Sequence, residues 1–372
     1  MSSTQPQAVV VGGGIIGVST ACHLARAGAG VTLITEGELT SNASGRSLSW
    51  LNSAGVRSEE YHRLRMAGID RYRTLAARQP GLGWLRFDGG LVWQEPERAD
   101  DLHRIHEHEL AHGYDSHLID PGRVAEHTPG IDPSAIPAAG ARWNPGEGWV
   151  DLPHLAQHLI KEFAGHGGRL VTGAGRARVE TAGGSVSGVR TAGGELHAAD
   201  TVVLATGPAV PAMAAELGVI VPDQTPLSLL VTTKPIGTPL RAVLNTPRAS
   251  VRPTPHGALA VDSDWTTAGI RPSAGGGFDI AEDIVARLLA EASRLLAGNP
   301  RLEPERIAMG PKPIPGDGDP VLGRVDEIGG LWAGFTHSGA TLALIAGELL
   351  AYEISTGRAH PMLAPFNARR FR

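Results

Sequence analysis

Gly12, Gly14 and Gly17 follow an apolar run, Ala8 to Val11, and open a stretch in which Ile16, Thr20 and Leu24 recur at helical spacing. A G-x-G-x-x-G turn between a strand and a helix is built to hold a dinucleotide. The first glycine permits the tight turn, the second lets backbone approach a pyrophosphate, and the third lets the helix lie close to the strand. The diphosphate then meets N–H groups around Ile15 and Ile16 at the positive end of the helix. A second apolar strand, Val31 to Ile34, runs into Glu36, nineteen residues after Gly17. A carboxylate there accepts hydrogen bonds from a ribose diol and repels a 2′-phosphate. Spacing alone says little in a chain with 49 glycines. The strand before, the helix after and the acid beyond carry the reading.

Composition narrows the classes. With 372 residues, 42% hydrophobic content and 19% charge, the chain suits a globular protein of one large or two medium domains. A net charge of −5 gives no reason to expect nucleic acid or a membrane surface as partner. The single cysteine, Cys22, excludes an intramolecular disulfide and a multi-thiolate metal site. The polar start, Met1 to Gln7, lacks the features of a leader, so a cytoplasmic location is expected. His103, His106, His108 and His112 lie on one helix, where a solvated polar face is expected and no metal.

The remaining elements position these groups. Helices are expected over Glu59 to Gln79, Glu97 to His112, Asp151 to Gly165, Pro211 to Leu217, Ala281 to Ala297 and Ser338 to Ile354. Trp84 to Gln94 reads as a hairpin around Gly89-Gly90, and Gly168 to Gly194 as short strands with a turn at Gly183-Gly184. Asp200 to Leu204 and Gly330 to Phe335 read as buried strands. From Val219 to Pro272, strand-like pieces alternate with Pro- and Gly-rich turns, the pattern of an antiparallel sheet inserted into an α/β unit. The expected fold is α/β, with a discontinuous Rossmann-like domain (1–80, 145–215, 310–372) and an inserted substrate domain (81–144, 216–309).

In order along nearly the whole chain, these motifs resemble the D-amino-acid oxidase and glycine/sarcosine oxidase family of flavoproteins. Gly12 to Gly17 with Glu36 looks like its FAD motif. Ala43-Ser44-Gly45-Arg46-Ser47, with Leu48, resembles the segment passing the pyrophosphate and flavin. Leu204-Ala205-Thr206-Gly207 is similar to the second glycine site. Gly334-Phe335-Thr336-His337-Ser338-Gly339-Ala340-Thr341 resembles the C-terminal flavin loop, and is the most specific of the four. The resemblance implies a bound FAD and oxidation of a C–N bond. It places the cofactor at Gly12, Gly14, Ile15, Ile16, Gly17, Glu36, Ser44 to Leu48, Arg176, Ala205, Thr206, Gly207, Gly334 and His337 to Thr341. Backbone N–H groups of Gly339, Ala340 and Thr341 would stabilise the negative charge of reduced flavin, with His337 and Ser338 adding donors. Relatives with covalent flavin use a late cysteine or a histidine near the first flavin loop. This chain has neither, so the FAD is expected to be non-covalent.

The substrate side is less defined. Where the family often has an arginine before a proline, this chain has Lys312. It could pair with a substrate carboxylate, act near flavin N5, or form a salt bridge with Asp317 or Asp319. The usual tyrosines are missing from Val219 to Pro272, which leaves Arg252, His256 and Trp265, with Trp50 as a further pocket residue. Lys312, His337 and Trp50 are the candidates closest to the chemistry. The expected substrate is a secondary, cyclic or N-alkylated amine, or an amino acid. It gives up hydride to flavin N5, and the imine formed is hydrolysed. Dioxygen or an electron carrier then reoxidises the flavin. An NAD-dependent dehydrogenase and a flavin-binding protein without turnover, serving as a partner subunit, are the alternatives.

Overall fold

The computed structural model describes residues 7–372, so the expectations for Met1 to Pro6 lie outside the described residues. The chain forms two compact units, 1–45 with 152–226 and 311–372, and 46–151 with 227–310.

The first unit is built on a six-stranded sheet. Its order is Val321–Arg324, Leu331–Phe335, Thr201–Leu204, Gln7–Val11, Gly30–Ile34 and Arg169–Val171. Every neighbouring pair is parallel except the first, which is antiparallel. Parallel strands covered on both faces need side chains that are apolar throughout, and Val9, Val10, Val202, Val203 and Leu331 are all buried. The helices Ile15–Arg26 and Gly339–Thr356 lie backbone to backbone. A Cβ at Gly347 would stand 2.3 Å from Ser19 Oγ and 2.7 Å from its carbonyl carbon. The expected hairpin at Gly183-Gly184 is present, joining Arg178–Ala182 to Ser185–Arg190.

The second unit holds an eight-stranded sheet. Its order is Pro304–Pro311, Leu227–Thr233, Leu259–Asp262, Ser250–Pro253, Val243–Asn245, Gly90–Val92, Ala141–Asn144 and His117–Ile119. One face carries Leu91, Trp143, Leu229, Val231, Leu244, Val251 and Val261, packed with Leu288 and Leu289 of the helix Glu282–Arg294. Because side chains alternate along a strand, the register puts Asn144, Gly90, Val243, Arg252 and Ala260 in one row on the opposite face. Arg142 is two residues along on that same face.

Two expectations are corrected. The Rossmann-like domain does not run to residue 80 or resume at 145. Trp50–Leu51 pairs with Gly148–Val150, which pairs with Leu85–Arg86. The helix Glu59–Arg78 is tied to these strands by Arg65, which donates to Asn52 O and Oδ1 at 2.9 Å each. Residues 216–226 instead join the first unit, where Gln224 N–H donates to Ile314 O at 2.8 Å. Nor is Trp84 to Gln94 a hairpin, since Leu85–Arg86 and Gly90–Val92 enter different sheets. Gly89 has φ +87°, and a Cβ there would stand 2.0 Å from the Trp143 ring, so the glycine marks a crossing point.

Among the described residues no helix is long and apolar enough to cross a membrane. Gly347→Ala should lower the melting temperature although alanine is the better helix former, because overpacking costs about 1–3 kcal/mol. Gly165→Ala, with nothing within 4 Å of its Cβ position, should leave the melting temperature unchanged or slightly raised in the same thermal scan.

Candidate functional site

In the first unit the glycine turn is set by backbone crowding. Gly12 has φ +124°, and its Cβ would stand 2.3 Å from Ala205 O; a Cβ at Gly17 would stand 2.0 Å from Gly12 O. Gly14 differs, because the nearest atom to its Cβ position is Ser44 Oγ at 3.4 Å, which leaves room for another group to approach. Ser44 Oγ accepts the Ile15 N–H at 3.0 Å, and Gly14 supplies no side-chain cap. The other N–H groups of that first turn have no intrahelical acceptor, which suits a diphosphate. Glu36 follows the strand Gly30–Ile34 with its side chain exposed, while its carbonyl accepts the Gly175 N–H at 3.1 Å.

The other predicted cofactor segments of this unit lie nearby. Ala205 N–H donates to Val11 O at 2.8 Å, and Gly207 takes φ +59°. Thr206 Oγ1 donates to Met213 Sδ at 3.4 Å. Met213 lines a cleft of about 440 Å³ with Arg178, Val179, Glu216 and Leu217. Arg176 pairs with Glu216 at this edge. The late loop is brought to the glycine turn, since a Cβ at Gly334 would stand 2.8 Å from Ile16 Cγ2 and one at Gly339 3.8 Å from Ile15 Cγ2. Ser338, at the N-cap, makes no side-chain cap bond, and its N–H donates to Thr336 Oγ1 at 3.0 Å. His337 is exposed. Lys312 is half-buried, its N–H donating to Pro226 O at 2.8 Å, while both oxygens of Asp317 are held by Arg370. Two neighbouring helix starts, one of them following an open glycine turn, fit a flavin dinucleotide.

In the second unit, Arg46, Ser47 and Leu48 are half-buried. Burial, and after it Arg306, holds the Arg46 guanidinium below its ordinary range. Gly310, at φ +155°, would place a Cβ 2.5 Å from that group. Ser49 is buried with φ +57°, a conformation costing on the order of 1–3 kcal/mol for a non-glycine residue, and it delivers Trp50 to its strand. Arg252 is 4% exposed and lies 5.1 Å from the centre of the Trp149 ring. Its Nη1 donates to Pro253 O at 2.9 Å, Nη2 is 3.8 Å from Asp151 Oδ2, and Nε has no partner. Burial pushes this guanidinium down to about 10, offset in part by Asp151. Trp265 is not brought to Arg252; it packs on the apolar side, donating to Arg248 O at 2.8 Å beneath the Arg287 guanidinium. His256 is exposed in the turn that follows Ser250–Pro253.

Sequence reasoning missed a buried polar network on the face that carries Arg252. The Trp50 indole N–H donates to Glu147 Oε2 at 2.8 Å, and the Tyr114 hydroxyl donates to Glu147 Oε1 at 2.5 Å. Ser53 N–H donates to Tyr114 Oη at 2.9 Å, and Ser53 Oγ is 2.9 Å from His62 Nδ1. Glu109 and Arg142, both 2% exposed, form an ion pair at 2.8 Å that lies off the hydrogen-bond line. The Gly55 N–H donates to Glu109 at 2.8 Å and the Asn144 amide at 3.3 Å. Burial pushes Glu147 up to about 8 against the hydrogen bonds from Tyr114 and Trp50, and pushes Tyr114 well above the usual phenol range. The expected solvated histidine face is corrected here as well. His106 meets Ser116 Oγ at 3.0 Å, His108 meets Arg57 O at 3.1 Å, and His112 Nδ1 meets His108 O at 2.9 Å. That side of the helix Ala99–Ala111 borders the network through Glu109.

Comparison with known proteins identifies the family. Residues 7–353 match the family described as FAD dependent oxidoreductase, DAO. Glycine oxidase of Geobacillus kaustophilus is 27% identical over 97% of this chain and 96% of its own length. The crystal structure of glycine oxidase from that organism superposes with TM-score 0.80 at 25% identity, covering 98% of this chain and 99% of that one. One of the subunits of opine oxidase from Agrobacterium tumefaciens is 23% identical over 97% of this chain and 96% of its own length. These matches set aside the NAD-dependent alternative. The chain belongs to the FAD-dependent oxidoreductase family, DAO.

Proposed function

We propose that this chain oxidises the C–N bond of a small amine bearing a carboxylate, either an amino acid or a secondary, N-alkylated or cyclic relative of one. Oxidation of a C–N bond in an amine or amino acid with FAD is the chemistry of the family. The observation that carries the narrower reading is Arg252, a guanidinium 4% exposed with Nε unpartnered. A buried cation with an unused donor is costly until an anion reaches it, and a guanidinium meets a carboxylate through two N–H bonds at once. Similarity to glycine oxidase supports an amino-acid substrate.

FAD, bound without a covalent link, supplies the acceptor for the hydride on the carbon beside nitrogen. Gly14, Ile15 and Ser44 would hold the diphosphate, and Glu36 would accept from the ribose. The helix start at Gly339 would offer its positive end to negative charge on the bound flavin. Arg252 orients the carboxylate, and Trp50 gives an apolar wall that favours the unprotonated amine, the form able to lose hydride. Lys312 of the first unit is a further candidate cation, for a carboxylate or for oxygen chemistry. Water then hydrolyses the released imine. A second reading, a flavin-binding component of a larger oxidase, is supported by similarity to the opine oxidase chain.

Purified protein should be yellow, and acid or denaturant should release the flavin into solution. In an anaerobic panel, amines with a carboxylate should bleach the flavin band while their decarboxylated counterparts should not. Peroxide formed in air distinguishes dioxygen from a carrier. Arg252→Met should raise KM about 10- to 100-fold with a smaller loss in kcat, the size expected for hydrogen bonds to a charged group. Equal bleaching by amines without a carboxylate, together with an unchanged KM in the variant, would rule out the role of Arg252. No bleaching by any amine would favour the second reading.

A further inference from the structure

Trp50 is held more elaborately than a packed indole requires. It leaves Ser49 in a left-handed conformation, pairs with Trp149 across two short strands, and donates its N–H to Glu147. The sheet makes space for that contact. A Cβ at Gly90 would stand 2.0 Å from Glu147 Oε2 and 3.0 Å from Trp50 Nε1. An indole needs one acceptor, which a carbonyl would supply without bringing charge into the interior. A fully buried carboxyl stands there instead.

We propose that Glu147 is a positioning residue for the oxidation: seated over Gly90 and held by Tyr114, it fixes the Trp50 indole and, through its ionisation, sets how firmly that indole is held. This rests on the reading of Trp50 as a wall of the substrate pocket. The charged and titratable groups facing Glu147 are Tyr114, Glu109, Arg142 and Arg57, with Arg65 close to Tyr114. Tyr114 keeps its proton across the neutral range, because burial pushes it well above the usual phenol value. When Glu147 is ionised, both of its oxygens accept, one from Tyr114 and one from Trp50. When it is neutral, its own proton either competes with the Tyr114 hydroxyl proton at Oε1 or resides on Oε2, the atom that faces the indole. In both cases the indole is left with a neutral, weaker acceptor. The change falls at about pH 8. Raising the pH through that value ionises Glu147, tightens Trp50 and raises kcat/KM.

The test compares wild type with Glu147→Gln, Gly90→Ala and Trp50→Phe as FAD-loaded enzymes. The pH profile of kcat/KM for the amine that best bleaches the flavin should show a rising limb near pH 8 that Glu147→Gln lacks. Both Glu147→Gln and Gly90→Ala should lose about 10- to 100-fold in kcat/KM, as expected for a displaced positioning group, with far-UV circular dichroism retained. In the Trp50→Phe background, Glu147→Gln should have no further effect. Independently of turnover, the Trp50 indole N–H resonance, assigned by its loss in Trp50→Phe, should shift near pH 8 in wild type and stay fixed in Glu147→Gln. A resonance that does not move, additive losses in the double variant, or an unchanged pH profile in Glu147→Gln would each overturn the proposal. A resonance that moves in protein no amine can reduce would overturn the functional reading while supporting the contact.

Discussion

Three backbones meet at the glycine turn, and the first unit depends on that contact. Gly12, Gly17 and Ala205 come so close that any side chain at either glycine would overlap main-chain oxygen. A substitution there would lift the first helix from the sheet. Because Gly334 lies on Ile16 and Gly347 on Ser19, the last strand and helix depend on the same approach. The turn thus aligns two helix starts from opposite ends of the chain. The helices that begin after Gly14 and Ser338 take no side-chain cap from those residues, and both direct the positive end of a helix dipole toward their starts.

The second unit divides its large sheet between two kinds of burial. One face forms an apolar core with the helix Glu282–Arg294, where removal from water is the stabilising term. The other buries polar groups, which is tolerable only when each finds a partner. Glu147 accepts from Tyr114 and Trp50, Tyr114 accepts from Ser53, and Glu109 forms an ion pair with Arg142, whose Nε and Nη1 find no hydrogen-bond acceptor. Arg252 Nε finds none either. The Glu109 carboxylate stands 2.8 Å from Arg142, whereas the nearest carboxylate to Arg252, that of Asp151, is 3.8 Å away, so the unmet donor there is the more costly.

The elements nearest to local physical rules were legible in the sequence. Apolar runs gave the strands Gln7–Val11 and Thr201–Leu204, and the glycine spacing placed the turn between strand and helix. Ser58, accepting from Tyr61 N–H at 3.2 Å, starts the helix Glu59–Arg78 close to where its apolar spacing begins. The hairpin expected at Gly89-Gly90 failed because two glycines in sequence signal a tight turn equally well when they make room for an aromatic ring. The partition of residues 46–80 failed because a two-residue strand, Trp50–Leu51, has no periodicity to reveal which sheet it joins.

By itself the sequence determined the glycine fingerprint, its acidic partner, the late helix entry and the α/β class, since each follows from residue types within one turn or one strand. Only the tertiary structure decided that Trp50, Tyr114 and Glu147 share hydrogen bonds, that Glu109 faces Arg142, and that Arg252 is buried on the polar face. Those relations join residues up to 97 positions apart. They depend on strand register and on which face of a sheet each side chain takes, and neither is fixed until the strands have paired.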